Sequence, residues 1–241
     1  MTRVSKRVKI YQSRIHLAVT LAFLIAPFLF FLIFSRFINL PATTLFSDIF
    51  SSLYRMVIAY IISAILGWGF AVFFFKGKRS IIALPLFDVL QSFPTFAALP
   101  LTVYFLGASS LTIILFLIVT IIWPIFFSVI SSLKLIQKDW EEVVEIEGLN
   151  NWQYLTLFLW PISIPGLITG TIIGLGDAWE AMIATEIIVG IKSSLGNFFD
   201  SYSKNPTITA FGILGFLILI FSINKLLWLP LLDWSHRKME E

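Results

Sequence analysis

Between Glu141 and Glu147 four glutamates crowd into the seven residues EEVVEIE, in a chain of 241 residues that is 58% hydrophobic and only 13% charged. Further along, Asp177, Glu180 and Glu186 interrupt the apolar stretch GLGDAWEAMIATEIIVG. A carboxylate among apolar residues is costly to hold, and its default reading is that it faces a cavity or pairs with a cation. Catalytic chemistry finds less support. His16 and His236 lie at opposite ends of the chain, without metal-ligand spacing, and read as interfacial residues. They cannot assemble a serine, histidine and carboxylate triad. The absence of cysteine removes disulfides and thiolate metal sites. KGKRS, at Lys76 to Ser80, has a lysine but lacks the glycine-rich run whose amides would cradle phosphate. The sequence therefore predicts no catalytic residue, no metal, no cofactor and no ATP hydrolysis by this chain itself. A net charge of +3 calls for no nucleic-acid partner.

The elements that must position these carboxylates follow from composition. Soluble domains carry roughly 25% charged residues, so half of the usual charged surface is missing. With a mean hydropathy of +0.92, the natural solvent is a bilayer, where the backbone must close its own hydrogen bonds in helices or a closed barrel. Barrel strands would alternate in polarity, whereas the runs here are long and uniformly apolar. The expected fold class is an all-α membrane protein with about six transmembrane helices.

The first run, between Arg14 and Arg36, is free of acidic and strongly basic residues and reaches about 30 Å, one hydrocarbon thickness. It exceeds a signal-peptide core and no small-residue cleavage site follows, so it reads as a retained helix. Met56 to Phe75 gives a second crossing. Val89 to Leu133 is uncharged and long enough for two more, joined by GASS at Gly107 to Ser110. Leu149 to Gly176, continuing into the acidic stretch, gives a fifth, and Asn205 to Asn224 a sixth. The tail KLLWLPLLDWSHRK reads as amphipathic or interfacial.

Six crossings put both termini on one side. The positive-inside bias then assigns Arg3, Lys6, Arg7, Lys9 and Arg14, the cluster Lys76 to Arg79, Lys134 with Lys138, and Arg237 with Lys238 to the cytoplasm. Arg36, Arg55, Lys192 and Lys204 fall outside, and Lys225 near the inner boundary. The glutamate cluster falls inside the cell. As a helix, Asp139 to Glu147 would carry Trp140, Val143 and Val144 on one face and Glu141, Glu142 and Glu145 on the other. Gly148 supplies a left-handed stop, and Asn150 or Asn151 can cap a second short helix. An acidic face is repelled by anionic headgroups, which favours docking onto a soluble partner over resting on the membrane.

This pattern resembles the E-A-A loop of binding-protein-dependent ABC importer permeases. It reads here as Glu142, Val143, Val144, Gly148, Phe158, Trp160 and Pro161, with the alanine pair replaced by Val143 and Val144 and bulky Phe158 and Trp160 where isoleucine and leucine are usual. SSLYRMVIAYIISAILGWGFAVFFFKGKRS, LQSFPTFAALPLTVYFLGASS (its helix beginning after Pro94), GLGDAWEAMIATEIIVG and SLGNFF are similar, in order, to elements of the nitrate, sulfonate and taurine type, covering roughly Ser51 to Leu226. The resemblance implies a type I ABC importer transmembrane domain over residues 49–229, with a coupling loop at 137–161. Residues 1–48 would be a cytoplasmic basic arm, first helix and external loop, and 230–241 a cytoplasmic tail. It implies that Glu142, Val143, Val144, Glu145, Gly148 and Pro161 couple to cytoplasmic ATPase subunits. The other partners implied are an extracytoplasmic solute-binding protein, a second permease protomer in a homodimer or a heterodimer, and the lipid bilayer of the plasma or inner membrane.

For the solute pathway, Gly166, Gly170 and Gly174 recur every four residues and would admit a close helix. Asp177, Ala181 and Ala184 continue that side, with Glu180 beside it and Glu186 opposite in a packing or gating role. Asp177 and Glu180 either face the pathway or pair with Lys192 or another basic residue. Carboxylates along the route oppose anions, which leaves a neutral or cationic solute open beside nitrate, sulfonates and taurine. Two other classes remain open from the residues alone: an ion-coupled secondary transporter protonated at Asp177 and Glu180, and a structural membrane subunit.

Overall fold

The apolar runs form helices, and no strand occurs among the described residues of this computed structural model. It describes the backbone of residues 3–240 and the side chains of 19–235 and 237. The side chains of His16, His236, Lys238 and the basic arm Arg3 to Arg14 lie outside the described residues.

Among the described residues, five stretches are long and apolar enough to cross a membrane: Val19–Phe37 within α1 (Arg3–Phe37), α2 (Ala42–Phe74), α5 (Ser110–Leu133), Asn151–Val189 and Pro206–Ser235. The remaining expected crossing takes a different form. Instead of a straight helix it is a pair, α3 (Gly77–Gln91) and α4 (Thr95–Leu106), bent by 82° at the break between them. Pro94 explains the break, because it has no N–H to donate and disfavours helical backbone at Phe93. The 12 residues of α4 reach only about 18 Å, too short to cross alone. Only with α3 counted in, and with Lys78 and Arg79 in its first turn, does the tally reach six. The joint at Gly107 to Ser110 forms as expected: Gly107 ends α4 at φ +76°, and the Ser109 side chain accepts from the Thr112 amide to cap α5.

After α6 (Lys138–Ile146) the chain turns into a short helix, α7 (Asn151–Gln153), then a wide π-type turn, Tyr154–Leu159, and α8 (Trp160–Val189). The wide turn ends beside Pro161, which has no N–H to close an α-type bond to the Leu157 carbonyl. Gly190, at φ +74°, stops α8. The acidic stretch is therefore helical throughout. Beyond α9 (Leu195–Ser201) and α10 (Pro206–Ile223), the chain runs into the tail without a break. A second wide turn, Asn224–Trp228, passes directly into α11 (Leu229–Glu240).

Two compact units divide the chain, residues 1–47 with 201–230 and residues 48–200 with 231–241. In the first, α1 lies against α10: a side chain at Gly215 would strike the Phe30 ring, and Phe34 and Phe37 both pack on Phe211. The second is built on α5 and α8. Leu117, Ile121, Ile125, Val129 and Leu133 recur every four residues along α5 and are all fully buried, the spacing of one helical face. On α8, Ala178, Ala181, Met182 and Thr185 are buried as completely.

Candidate functional site

The glutamate cluster forms the solvent-facing helix that its periodicity demands. α6 has no buried residue: Val143 is 56% exposed and Ile146 83%, with Trp140 exposed beside them. Trp140 and Val143 stand on the face opposite Glu141, Glu142 and Glu145, whereas Ile146, four residues after Glu142, lies at the boundary between the two. Gly148 stops it at φ +60°, with its N–H donated to the Glu145 carbonyl. Asn150, rather than Asn151, begins the next helix. Its side chain accepts from the Gln153 amide at 2.9 Å while the Gln153 side chain accepts from the Asn150 amide at 3.0 Å, a reciprocal capping box. Phe158 stacks on Tyr154, and Trp160 meets Trp68 edge-on with ring centroids 5.1 Å apart.

One contact here was invisible in the motif. Lys76, in the turn after α2, donates to Glu141 at 3.2 Å and to the Tyr154 hydroxyl at 3.1 Å, tying the basic turn to α6 and to the start of the wide turn. Partial burial lowers the Lys76 pKa, but the bonds to Tyr154 and Glu141 together outweigh it and hold the ammonium above its ordinary value. Glu142 and Glu145 have no such partner among the described residues.

The glycine stripe on α8 is a packing seam. A Cβ at Gly166 would fall on the Ser128 carbonyl. At Gly170 it would lie 2.6 Å from the Ile125 Cα, and at Gly174 3.1 Å from the Ile121 carbonyl oxygen. All three contacts are to α5 backbone, the close approach small residues permit. Asp177 and Glu180, one and two turns on, instead line a recess of about 350 Å³ with Gln91, Thr95, Thr120 and Trp123. Both carboxylates are exposed, and neither pairs with Lys192 or any other basic residue among the described residues. The Trp123 indole N–H, buried on the wall of this recess, has no hydrogen-bond partner among the described residues. Pro94 sits at the α3–α4 break, next to Thr95 of the recess.

Glu186 does more than pack. It is wholly buried and receives Arg55 Nη1 at 2.6 Å, the Gly196 amide at 3.0 Å and the Ser52 hydroxyl, which lies 2.8 and 2.9 Å from its two oxygens. Arg55 also donates to the Ser193 carbonyl at 2.9 Å and to Ser110 Oγ at 3.2 Å. Arg55, expected on the external side, is 6% exposed and lies inside α2. The apolar run that begins at Met56 extends N-terminally through it, because Glu186 neutralises the guanidinium where it stands. A lone arginine within an apolar helix, three residues after a serine, was the available signal for a buried partner.

A helical membrane chain with an exposed, glycine-stopped acidic loop between two apolar helices defines a class, and comparison places it. The chain belongs to the family of binding-protein-dependent transport system inner membrane components, whose profile matches residues 64–229. It is 29% identical over 160 residues to a nitrate import permease protein of Synechocystis sp., covering 66% of this chain and 58% of that one. Over 163 residues it is 26% identical to a bicarbonate transport system permease protein of Synechococcus elongatus, covering 67% and 59%. Over 183 residues it is 26% identical to a taurine transport system permease protein of Escherichia coli, covering 73% and 66%. The match thus spans under two thirds of the nitrate permease's length. The family does not favour the secondary-transporter or structural-subunit readings.

Proposed function

We propose that this chain is the transmembrane permease subunit of an ATP-driven ABC importer, with no enzymatic activity of its own. The observation that carries the reading is α6 with its Gly148 stop: an exposed helix, apolar on one face and acidic on the other, in a chain of this family. Glu142, Val143, Val144, Glu145 and Gly148 form the surface that seats in a cytoplasmic ATPase, and Pro161 sets where α8 begins. Nucleotide-driven closure of two ATPases moves this helix as a lever and shifts the bundle between two states. A second copy of the chain completes a homodimer, and an extracytoplasmic solute-binding protein delivers the solute. The transmembrane domain occupies 49–229, with 137–161 as its coupling loop. With the bent α3–α4 pair counted as one crossing, both termini and the basic clusters lie in the cytoplasm.

Gly148→Pro is expected to abolish co-purification of the ABC ATPase expressed alongside this chain, since proline cannot adopt a positive φ. Glu142→Lys should do the same by charge reversal, with membrane insertion unchanged in both. If both variants retain the ATPase at wild-type stoichiometry, this reading of α6 is wrong.

The recess at Asp177 and Glu180 supports a route for solutes bearing a positive or neutral polar group, such as the ammonium end of a taurine-like zwitterion, rather than nitrate or bicarbonate. A unit charge about 4 Å from one carboxylate feels about 4 kcal/mol at an effective dielectric near 20. Asp177→Asn with Glu180→Gln should therefore lower uptake of amine-bearing solutes in reconstituted vesicles by about tenfold or more. Unchanged uptake of every solute would remove these residues from the pathway.

A further inference from the structure

Where α2 ends, a cavity of about 730 Å³ opens between its last two turns and the wide turn leading into α8. Its walls are apolar, including Val72, Phe73, Leu155 and Leu159, and its mouth carries Lys76, Lys78 and Arg79. Trp68 is held at the wall by the hydrogen bond it donates to Ser163 Oγ at 2.7 Å. The Arg79 guanidinium lies over the Phe73 ring, 4.3 Å from its centroid, at the boundary between the apolar wall and the basic mouth. Gly69 also lines the cavity, and neither of the usual reasons for glycine applies to it. It lies in regular helix without a positive φ, and a Cβ built on it would meet nothing within 4 Å. The missing side chain contributes only open space.

Charge decides what such a cavity would hold. Lys76 is already engaged by Glu141 and Tyr154, whereas no carboxylate pairs with Lys78 or Arg79 among the described residues. Two uncompensated cations at the end of a membrane-length helix, above a long apolar hollow, match a phosphate attached to hydrocarbon. Free phosphate would leave the hollow unfilled, and a neutral lipid would leave the cations unmatched. We infer that this cavity binds an anionic phospholipid, with its phosphate on Lys78 and Arg79 and an acyl chain running past Gly69 between Trp68 and Leu159. Basic pockets at the ends of transmembrane helices recognise anionic headgroups in this way. The inference needs only that α2 spans the bilayer and does not depend on what the chain transports.

The test uses the full chain in neutral detergent. Native mass spectrometry and the thermal unfolding midpoint would be followed while adding dioctanoyl phosphatidylglycerol, dioctanoyl phosphatidylcholine or inorganic phosphate. Phosphatidylglycerol should be retained and raise the midpoint, while the other two have little effect. The double variant Lys78→Gln, Arg79→Gln should weaken retention by about tenfold or more, given the contribution of each basic residue near a headgroup. The charge-matched pair Lys134→Gln, Lys138→Gln should leave it intact. Gly69→Phe, whose Cβ would meet nothing within 4 Å and whose ring would occupy the hollow, should also abolish retention with every charge in place. Equal retention of both lipids, equal loss in the charge-matched pair, or full retention in Gly69→Phe would overturn the proposal. Protection by inorganic phosphate alone would do so too, in favour of a free-anion site. The lipid comparison on the unaltered chain and the Gly69→Phe result stand even if the basic double variant fails to fold.

Discussion

Replacing Arg55 with alanine is expected to destabilise the chain by about 3–5 kcal/mol, the usual consequence of stranding one member of a buried ion pair. Glu186 would keep the Ser52 hydroxyl and the Gly196 amide but lose its counter-charge, and the Ser193 carbonyl would lose its donor. Glu186→Ala should be as damaging, because it leaves the guanidinium buried instead. The combination Arg55→Met, Glu186→Gln removes both charges, retains an acceptor for the Gly196 amide, and should recover more than half of the loss. Thermal unfolding of the detergent-purified variants reads this directly. Single variants within about 1 kcal/mol of the unaltered chain would mean that the pair is worth no more than an exposed one. The network joins α2, the start of α5, the end of α8, the segment before α9 and the start of α9 itself, so its loss loosens five segments at one point.

Gly170→Leu is expected to prevent α5 and α8 from closing. Its Cβ would lie 2.6 Å from the Ile125 Cα and 2.7 Å from the Pro124 carbonyl oxygen. Both are backbone atoms, which cannot rotate aside as a side chain could. Overpacking of this kind costs about 1–3 kcal/mol where neighbours can adjust, and here the helices themselves must separate. Gly176→Ala, two turns of the same helix away and with nothing within 4 Å of its Cβ, supplies the contrast. It should be neutral or stabilising by up to about 1 kcal/mol through helix propensity. A Gly170→Leu chain that purifies in normal yield with an unchanged unfolding midpoint would show that the seam tolerates separation.

The seam and the acidic loop were both legible in the residues, and for the same reason. A glycine every fourth residue and an apolar–acidic alternation at helical period each describe one face of one helix, and a helix is determined within a few turns of chain. Gly148 and Asn150 likewise act on amides and carbonyls no more than three residues away. The bend at Pro94 was half legible: proline marks a boundary, whereas the uncharged run that starts at Val89 gives no sign of the helix that begins at Gly77.

Sequence alone determined that this is a helical membrane chain, where its principal apolar helices run, and that a capped acidic unit projects between two of them. Hydrogen-bond closure in an apolar solvent leaves a long uncharged run little choice but to coil. Only the tertiary structure decided which charges meet. Arg55 and Glu186 are 131 residues apart, and Lys76 and Glu141 65; no local periodicity links such positions. Their pairing, like the hollow that Gly69 leaves open, follows from which helices pack together, and the cost of an unpartnered charge away from water selects the arrangement in which they touch.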